Sequence, residues 1–219
     1  MFDIEQMIHY RNIKRSADGL SLMLLFTIVW TCIAEIALDS WYYRSVGLVF
    51  VVVAVLFLIQ YLRFRMILKP VETLNFTDDS SESKKREKWF TFILIAEGLL
   101  ILIARNILVN IQMPQLFIPC LALIVGLHFY PLGKIFGRKI DYAIATWMTV
   151  LSFSGIILSL YHTADQNMID SFIGFGCAIG TSAMGGYMIA KGRLSVKMLE
   201  EDGVGSVTGE TDNTAGSRE

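Results

Sequence analysis

Charge is scarce in this chain. Asp, Glu, Lys and Arg make up only 18% of its 219 residues, whereas a soluble domain carries about 25% and needs it to clothe its surface. An ordinary globular enzyme is therefore excluded, and so is a disordered chain, because 54% of the residues are hydrophobic. Cysteine is nearly absent too. Cys32, Cys120 and Cys177 each sit inside an apolar block with no short paired spacing, which excludes a disulfide scaffold and gives no sign of a metal or redox centre. Proline occurs only four times, at positions 70, 114, 119 and 131, so little interrupts the apolar stretches. The phosphate-cradling Gly-rich loop ending in Lys-Ser or Lys-Thr is missing, as are His-Glu-x-x-His and the nucleophile elbow. Ser152-Phe153-Ser154-Gly155 lacks the leading glycine of that elbow. No catalytic residue, metal ligand or cofactor is assigned, and the net charge of -1 gives no reason to expect a nucleic-acid partner.

What the chain has instead is apolar residues in blocks near the length needed to cross a hydrocarbon core about 30 Å thick. Six blocks stand out: 20–38, 46–62, 89–109, 116–130, 142–161 and 169–190. The expected fold is all-α, a polytopic integral membrane protein with a transmembrane domain over 20–191. The fourth block is the shortest. Pro114 and Pro119 fit its first turn, where a missing N–H matters little, and Pro131 is expected to end it. The aromatic residues Trp30, Trp41, Tyr42, Tyr43, Trp89, Tyr130, Tyr142 and Tyr161 fall mostly at block ends, as an interfacial belt should.

Lys and Arg set the orientation. All but Arg44 and Arg105 lie before block one, between blocks two and three, between four and five, or after six. Under the positive-inside rule this places both termini in the cytoplasm. Residues 1–19 form a cytoplasmic segment that could lie on the inner surface as an amphipathic helix, with Phe2, Ile4, Met7, Ile8 and Ile13 interleaved with charge. Residues 63–88 read as a cytoplasmic loop whose Lys84–Lys88 cluster suits membrane lipid head groups. The tail at 192–219, rich in Gly, Ser, Thr and acid towards its end, reads as largely disordered.

Charged groups within hydrocarbon must face protein, water or an opposite charge. Glu35, Glu97, Arg105 and His128 are therefore the residues to explain. At about 1.5 Å per residue, Glu35 and Arg105 share a level near the outer leaflet, which suggests an ion pair between spans one and three. Glu97 and His128 both lie nearer the inner edge, within plausible reach of each other. Together with Asn106 they would line a polar pathway between spans one, three and four. Span six carries Gly176, Gly180 and Gly185; the first two have the small-x-x-x-small spacing of close helix packing, within one chain or across a homodimer.

The segment Leu127-His128-Phe129-Tyr130-Pro131-Leu132 resembles a His-Phe-x-Pro-Leu stretch of small bacterial six-span membrane proteins, with Gly133 where that stretch has Ala. The resemblance implies a protein of the bacterial cytoplasmic membrane, with His128, Pro131 and Leu132 as the matching positions. Two functions follow from the whole reading. One is transport or small-ligand binding through the polar interior. The other is a non-transporting accessory, immunity or scaffold role through an unidentified protein partner.

Overall fold

The computed structural model describes residues 4–38, 44–72 and 81–209. Among them the regular structure is all helical: α1 (Ile4–Ala37), α2 (Arg44–Glu72), α3 (Ser81–Asn110), α4 (Phe117–Phe136), α5 (Lys139–Leu160) and α6 (Gln166–Gly209), with a 3-10 turn at Pro114–Leu116 leading into α4. All six helices are long and apolar enough to cross a membrane. The chain is a multi-pass helical membrane protein.

Helix lengths differ from the apolar blocks. With 34 and 44 residues, α1 and α6 are about 51 and 66 Å long, well beyond a core about 30 Å thick. Residues 4–19 thus continue into the first span as one helix, not as a separate surface helix. The segment 192–209 is likewise helical, continuous with the sixth span. Most of 63–88 also belongs to α2 and α3, and the Lys84–Lys88 cluster lies on the first turns of α3. Trp41–Tyr43, the acidic pair Asp78 and Asp79, and residues 210–219 lie outside the described residues.

The fourth span corrects a second expectation. Pro131 lies inside α4. The helix runs past it by five residues and ends where Gly137 adopts φ 63°, with Arg138 N–H bonded to Gly133 O at 3.1 Å. A proline costs its helix the bond to the carbonyl four residues earlier, here that of Leu127, but packing of the buried flanking turns carries the helix through. Glycine reaches the left-handed conformation without a Cβ penalty, so Gly137 makes the stop. Gln112 (φ 58°) and His162 (φ 49°) play the same part after α3 and α5, closing six-residue turns from Met113 N–H to Leu108 O and from Thr163 N–H to Leu158 O. Asp165 caps the start of α6 by accepting the Asn167 N–H.

By contacts the chain forms two compact units: residues 1–22, 56–76 and 185–219, and residues 23–55 and 77–184. In the first, Ile13, Ala17 and Leu20 of α1, Phe57, Phe64 and Leu68 of α2, and Met188 of α6 are buried. Gly19 lies against Met188, Gly185 against Phe57, and Gly192 against Phe64, so small residues here set the spacing of three helices. Arg193 donates to Gln60 at 3.4 Å.

In the second unit, α6 is the most enclosed helix and α3 the least: 56% and 11% of their most apolar stretches are buried. Gly176 packs on Leu151 of α5, and its carbonyl accepts the Trp147 indole N–H at 2.8 Å. Gly180 faces the Trp147 ring. The Gly176–Gly180 face is therefore filled within the chain, by α5. Gly174 approaches α1 so closely that a Cβ there would lie 2.8 Å from Ala34 Cβ and 2.9 Å from its backbone N.

These contacts predict opposite outcomes for two glycines of one helix. Gly174→Ala pushes against the backbone of α1, which cannot swing aside, and should lower stability by about 1–3 kcal/mol. Gly186→Ala, which meets nothing within 4 Å, should be neutral or gain up to about 1 kcal/mol of helix propensity. Thermal unfolding of the two variants in detergent measures the difference.

Candidate functional site

The buried stripe of α3 is read directly from its spacing. Phe90, Ile93, Glu97, Ile101, Ala104 and Leu108 recur every three or four residues and are partly or fully buried, with Ala96 half-buried beside Glu97. Glu97 lies in the middle, 6% exposed. On α4 the stripe Val125, His128 and Leu132 is buried at the same kind of spacing. Where the two stripes meet, His128 Nδ1 lies 3.3 Å from Glu97 Oε1, with each side chain 6% exposed. The nitrogen is within ion-pair distance but is not aligned for a hydrogen bond. The imidazole stacks on Phe129, with ring centroids 4.4 Å apart, and Phe26 of α1 stands 6.4 Å away.

Apolar walls give this pair its chemistry. A bare carboxylate in such a place is costly, and a neutral imidazole does not offset its charge. One proton shared between the two satisfies both, as a neutral acid beside a neutral imidazole or as a carboxylate beside an imidazolium. The pair is suited to holding a single proton.

Farther along α4 a second polar group appears that the sequence reading left out. Asp141, in the first turn of α5, is completely buried. Arg138 Nε donates to its Oδ2 at 2.9 Å, while Oδ1 has no hydrogen-bond partner. The approach is possible because Gly133 has no side chain: a Cβ there would lie 3.2 Å from Asp141 Cβ and 3.0 Å from the Tyr142 ring. His128 is within electrostatic range of this carboxylate. Arg138 is also stacked 4.6 Å over the Phe136 ring, and Phe136 meets Phe90 of α3 edge-on at 6.1 Å. The sequence does hold a signal for Asp141. It is the sole acid between Glu97 and Asp165, and it follows Arg138 by three residues at a helix start.

The other expected site residues are placed elsewhere. Arg105 and Asn106 lie on the exposed face of α3, and Asn106 donates back to Leu102 O of its own helix at 3.0 Å. Glu35 lies against Gly47 in the first turns of α2, where the positive end of that helix favours an anion; its Oε1 is buried without a hydrogen-bond partner. Among the described residues Glu35 and Arg105 form no ion pair. Equal depth did not bring them together because Arg105 is turned about 80° around α3 from Glu97, off the packed stripe. The polar interior is thus built on α3, α4 and α5. Thr27, buried on α1, is hydrogen-bonded to Thr181 at 2.9 Å. Among the described residues no group of three or more His, Cys, Asp or Glu side chains is arranged to hold a metal ion.

No family model, curated protein or solved structure matches this chain, so the likeness of the His128–Leu132 segment rests on that segment alone.

The contact between Glu97 and His128 predicts strong coupling. Glu97→Leu or His128→Leu alone leaves a buried polar group facing hydrocarbon and should cost about 3–5 kcal/mol, whereas the double substitution should recover most of that loss. Unfolding midpoints of the three variants in one detergent form the cycle. Additive losses would mean that the two groups do not interact.

Proposed function

We propose that this chain is a proton-linked transport protein of a bacterial cytoplasmic membrane, with both termini on the cytoplasmic side, in which the Glu97–His128 pair holds the proton coupled to movement of a small solute. The observation that carries this reading is an acid and a base 3.3 Å apart, both nearly closed to solvent, between two membrane-spanning helices. Packing alone rarely requires such groups, and ionisable residues at this depth mark proton relays and ion paths in membrane proteins. Further support comes from acceptors left over: Glu35 Oε1 and Asp141 Oδ1 are buried without hydrogen-bond partners. The location of Glu97 matters as well. It sits on α3, whose apolar stretch is the least enclosed of the six, so a shift of this helix against α4 would open and close the pair with little loss of packed surface. The gathering of Lys and Arg at alternate connections supports the orientation.

The same burial supports a second reading. With both partners only 6% exposed, the pair also suits a static, dry joint in a non-transporting accessory, immunity or scaffold protein.

Proton movement separates the two. The purified protein is reconstituted in phosphatidylethanolamine–phosphatidylglycerol vesicles containing a pH-sensitive dye, and a potassium diffusion potential is imposed. Wild type should carry protons inward above the rate of empty vesicles. Glu97→Gln should fall to the empty-vesicle rate while keeping its helical content and unfolding temperature. Wild type indistinguishable from empty vesicles would leave the static reading in possession.

A further inference from the structure

We propose that Asp141 is the group through which protons pass between the water at the Lys- and Arg-rich end of α4 and α5 and the Glu97–His128 pair. The inference rests on the proton-holding reading of that pair and adds its route of access.

Asp141 occupies the third position of α5, next to the connection formed by Gly137 and Arg138. An acid in the first turn of a helix is ordinary, since the helix dipole favours it there. Two features are not ordinary. The side chain is completely buried, although its helix begins only two residues earlier and Lys139 in that same turn is exposed. One carboxylate oxygen, Oδ1, also lacks any hydrogen bond, whereas buried polar atoms are nearly always paired. Arg138 accounts for Oδ2 alone. Oδ1 is left as an enclosed basic site for a proton.

The surroundings give that site a direction. Arg138, from the connection, is ion-paired with Asp141, the titratable His128 of α4 is within electrostatic range of it, and Glu97, from α3, contacts His128. Lys134 and Lys139 are exposed, and the Tyr142 ring lies beside Gly133. Arg138 is held on two sides, by Oδ2 and by the Phe136 ring, so its cation stays beside Asp141. His128 is five residues before Gly133 on α4, a rise of about 7.5 Å. With Asp141 seated beside Gly133 and His128 that far along the helix, the transfer takes a bridging water.

The step balances as follows. Asp141 Oδ1 accepts a proton from hydronium at the entrance, leaving water, and becomes the neutral acid. It passes that proton through the bridging water to the neutral imidazole of His128, which becomes imidazolium as Asp141 returns to carboxylate. His128 then gives its proton to the carboxylate of Glu97 and is neutral again. Arg138 is a positioning residue throughout and keeps its proton.

The vesicle assay used for the pair tests this, run as proton flux against pH for wild type, Glu97→Gln, Asp141→Asn and Asp141→Glu. Asp141→Asn keeps the shape and the acceptor for Arg138 but cannot take up a proton. Its flux should fall to that of Glu97→Gln, with the unfolding temperature retained. Asp141→Glu should restore flux, with its pH profile displaced from that of wild type. Wild-type flux and pH profile in Asp141→Asn would overturn the inference while leaving the pair's role standing. If Asp141→Asn does not fold, Asp141→Glu decides: a displaced profile supports the route, and a superimposable one overturns it. Absence of flux in wild type would remove the pair's proton role first, and this inference with it.

Discussion

Every polar group placed in hydrocarbon must find its partner within the protein, and the second unit is shaped by that requirement more than by any single contact. Its backbone satisfies the requirement by being helical throughout the spans. Side-chain hydroxyls mostly satisfy it locally: Thr31 donates to Thr27 O, Ser152 to Met148 O and Ser154 to Val150 O, each one turn back along its own helix. Only a few polar side chains reach another helix. Thr27 meets Thr181, Trp147 donates to the Gly176 carbonyl, and Ser171 donates to Ala34 O. These three involve α6, the helix most enclosed by its neighbours, while the Tyr130 and Thr146 hydroxyls meet between α4 and α5 at 3.0 Å.

Small residues make those reaches possible. In a bilayer, helices gain little from burying apolar surface, because lipid is as apolar as leucine, so close approach and dispersion must supply the attraction. Gly174 on Ala34 and Gly176 on Leu151 bring α1 and α5 within hydrogen-bonding range of α6. The same logic lets Asp141 in beside Gly133. Side-chain absence on one helix thus determines where a polar group on another is accommodated. In the first unit, Gly19, Gly185 and Gly192 serve packing alone, each receiving a large side chain.

Six helices long and apolar enough to cross a membrane were legible in the sequence because hydropathy over twenty residues is a strong, local signal. The limits of the helices were not. Residues 4–19 read as a segment apart from the first span and 192–209 as part of a disordered tail, yet both continue the spans as helix, with Ile13, Ala17 and Ser195 buried. Pro131 misled for a related reason: a missing N–H is a local fact, whereas the burial of Phe129, Leu132 and Gly133 around it is a tertiary one. For the polar interior, depth was readable and azimuth was not. Depth correctly put Glu97 near His128, since both also fall on packed stripes, but it wrongly paired Glu35 with Arg105, which lie on unrelated faces. Asp141 escaped notice because it sits among basic residues at a helix start, where an acid is expected in water.

The contrast between hydroxyls and carboxylates decides where chemistry can reside. Thr149, Ser159 and Ser182 also carry buried oxygens without partners, but a hydroxyl is neutral in every state, so leaving one unpaired costs about 1–3 kcal/mol and nothing changes with the proton supply. A carboxylate has two states of different charge, and its surroundings must suit both if both are visited. Glu97 has a partner that can give or take a proton. Asp141 has one oxygen fixed by a permanent cation and one left open. Glu35 has the end of a helix, whose partial charge favours the anion but cannot exchange protons with it. Of the two acids buried as whole side chains among the described residues, Glu97 contacts His128 and Asp141 lies within its electrostatic range. His128, placed between them by the register of α4, is the one group through which the two could share a proton.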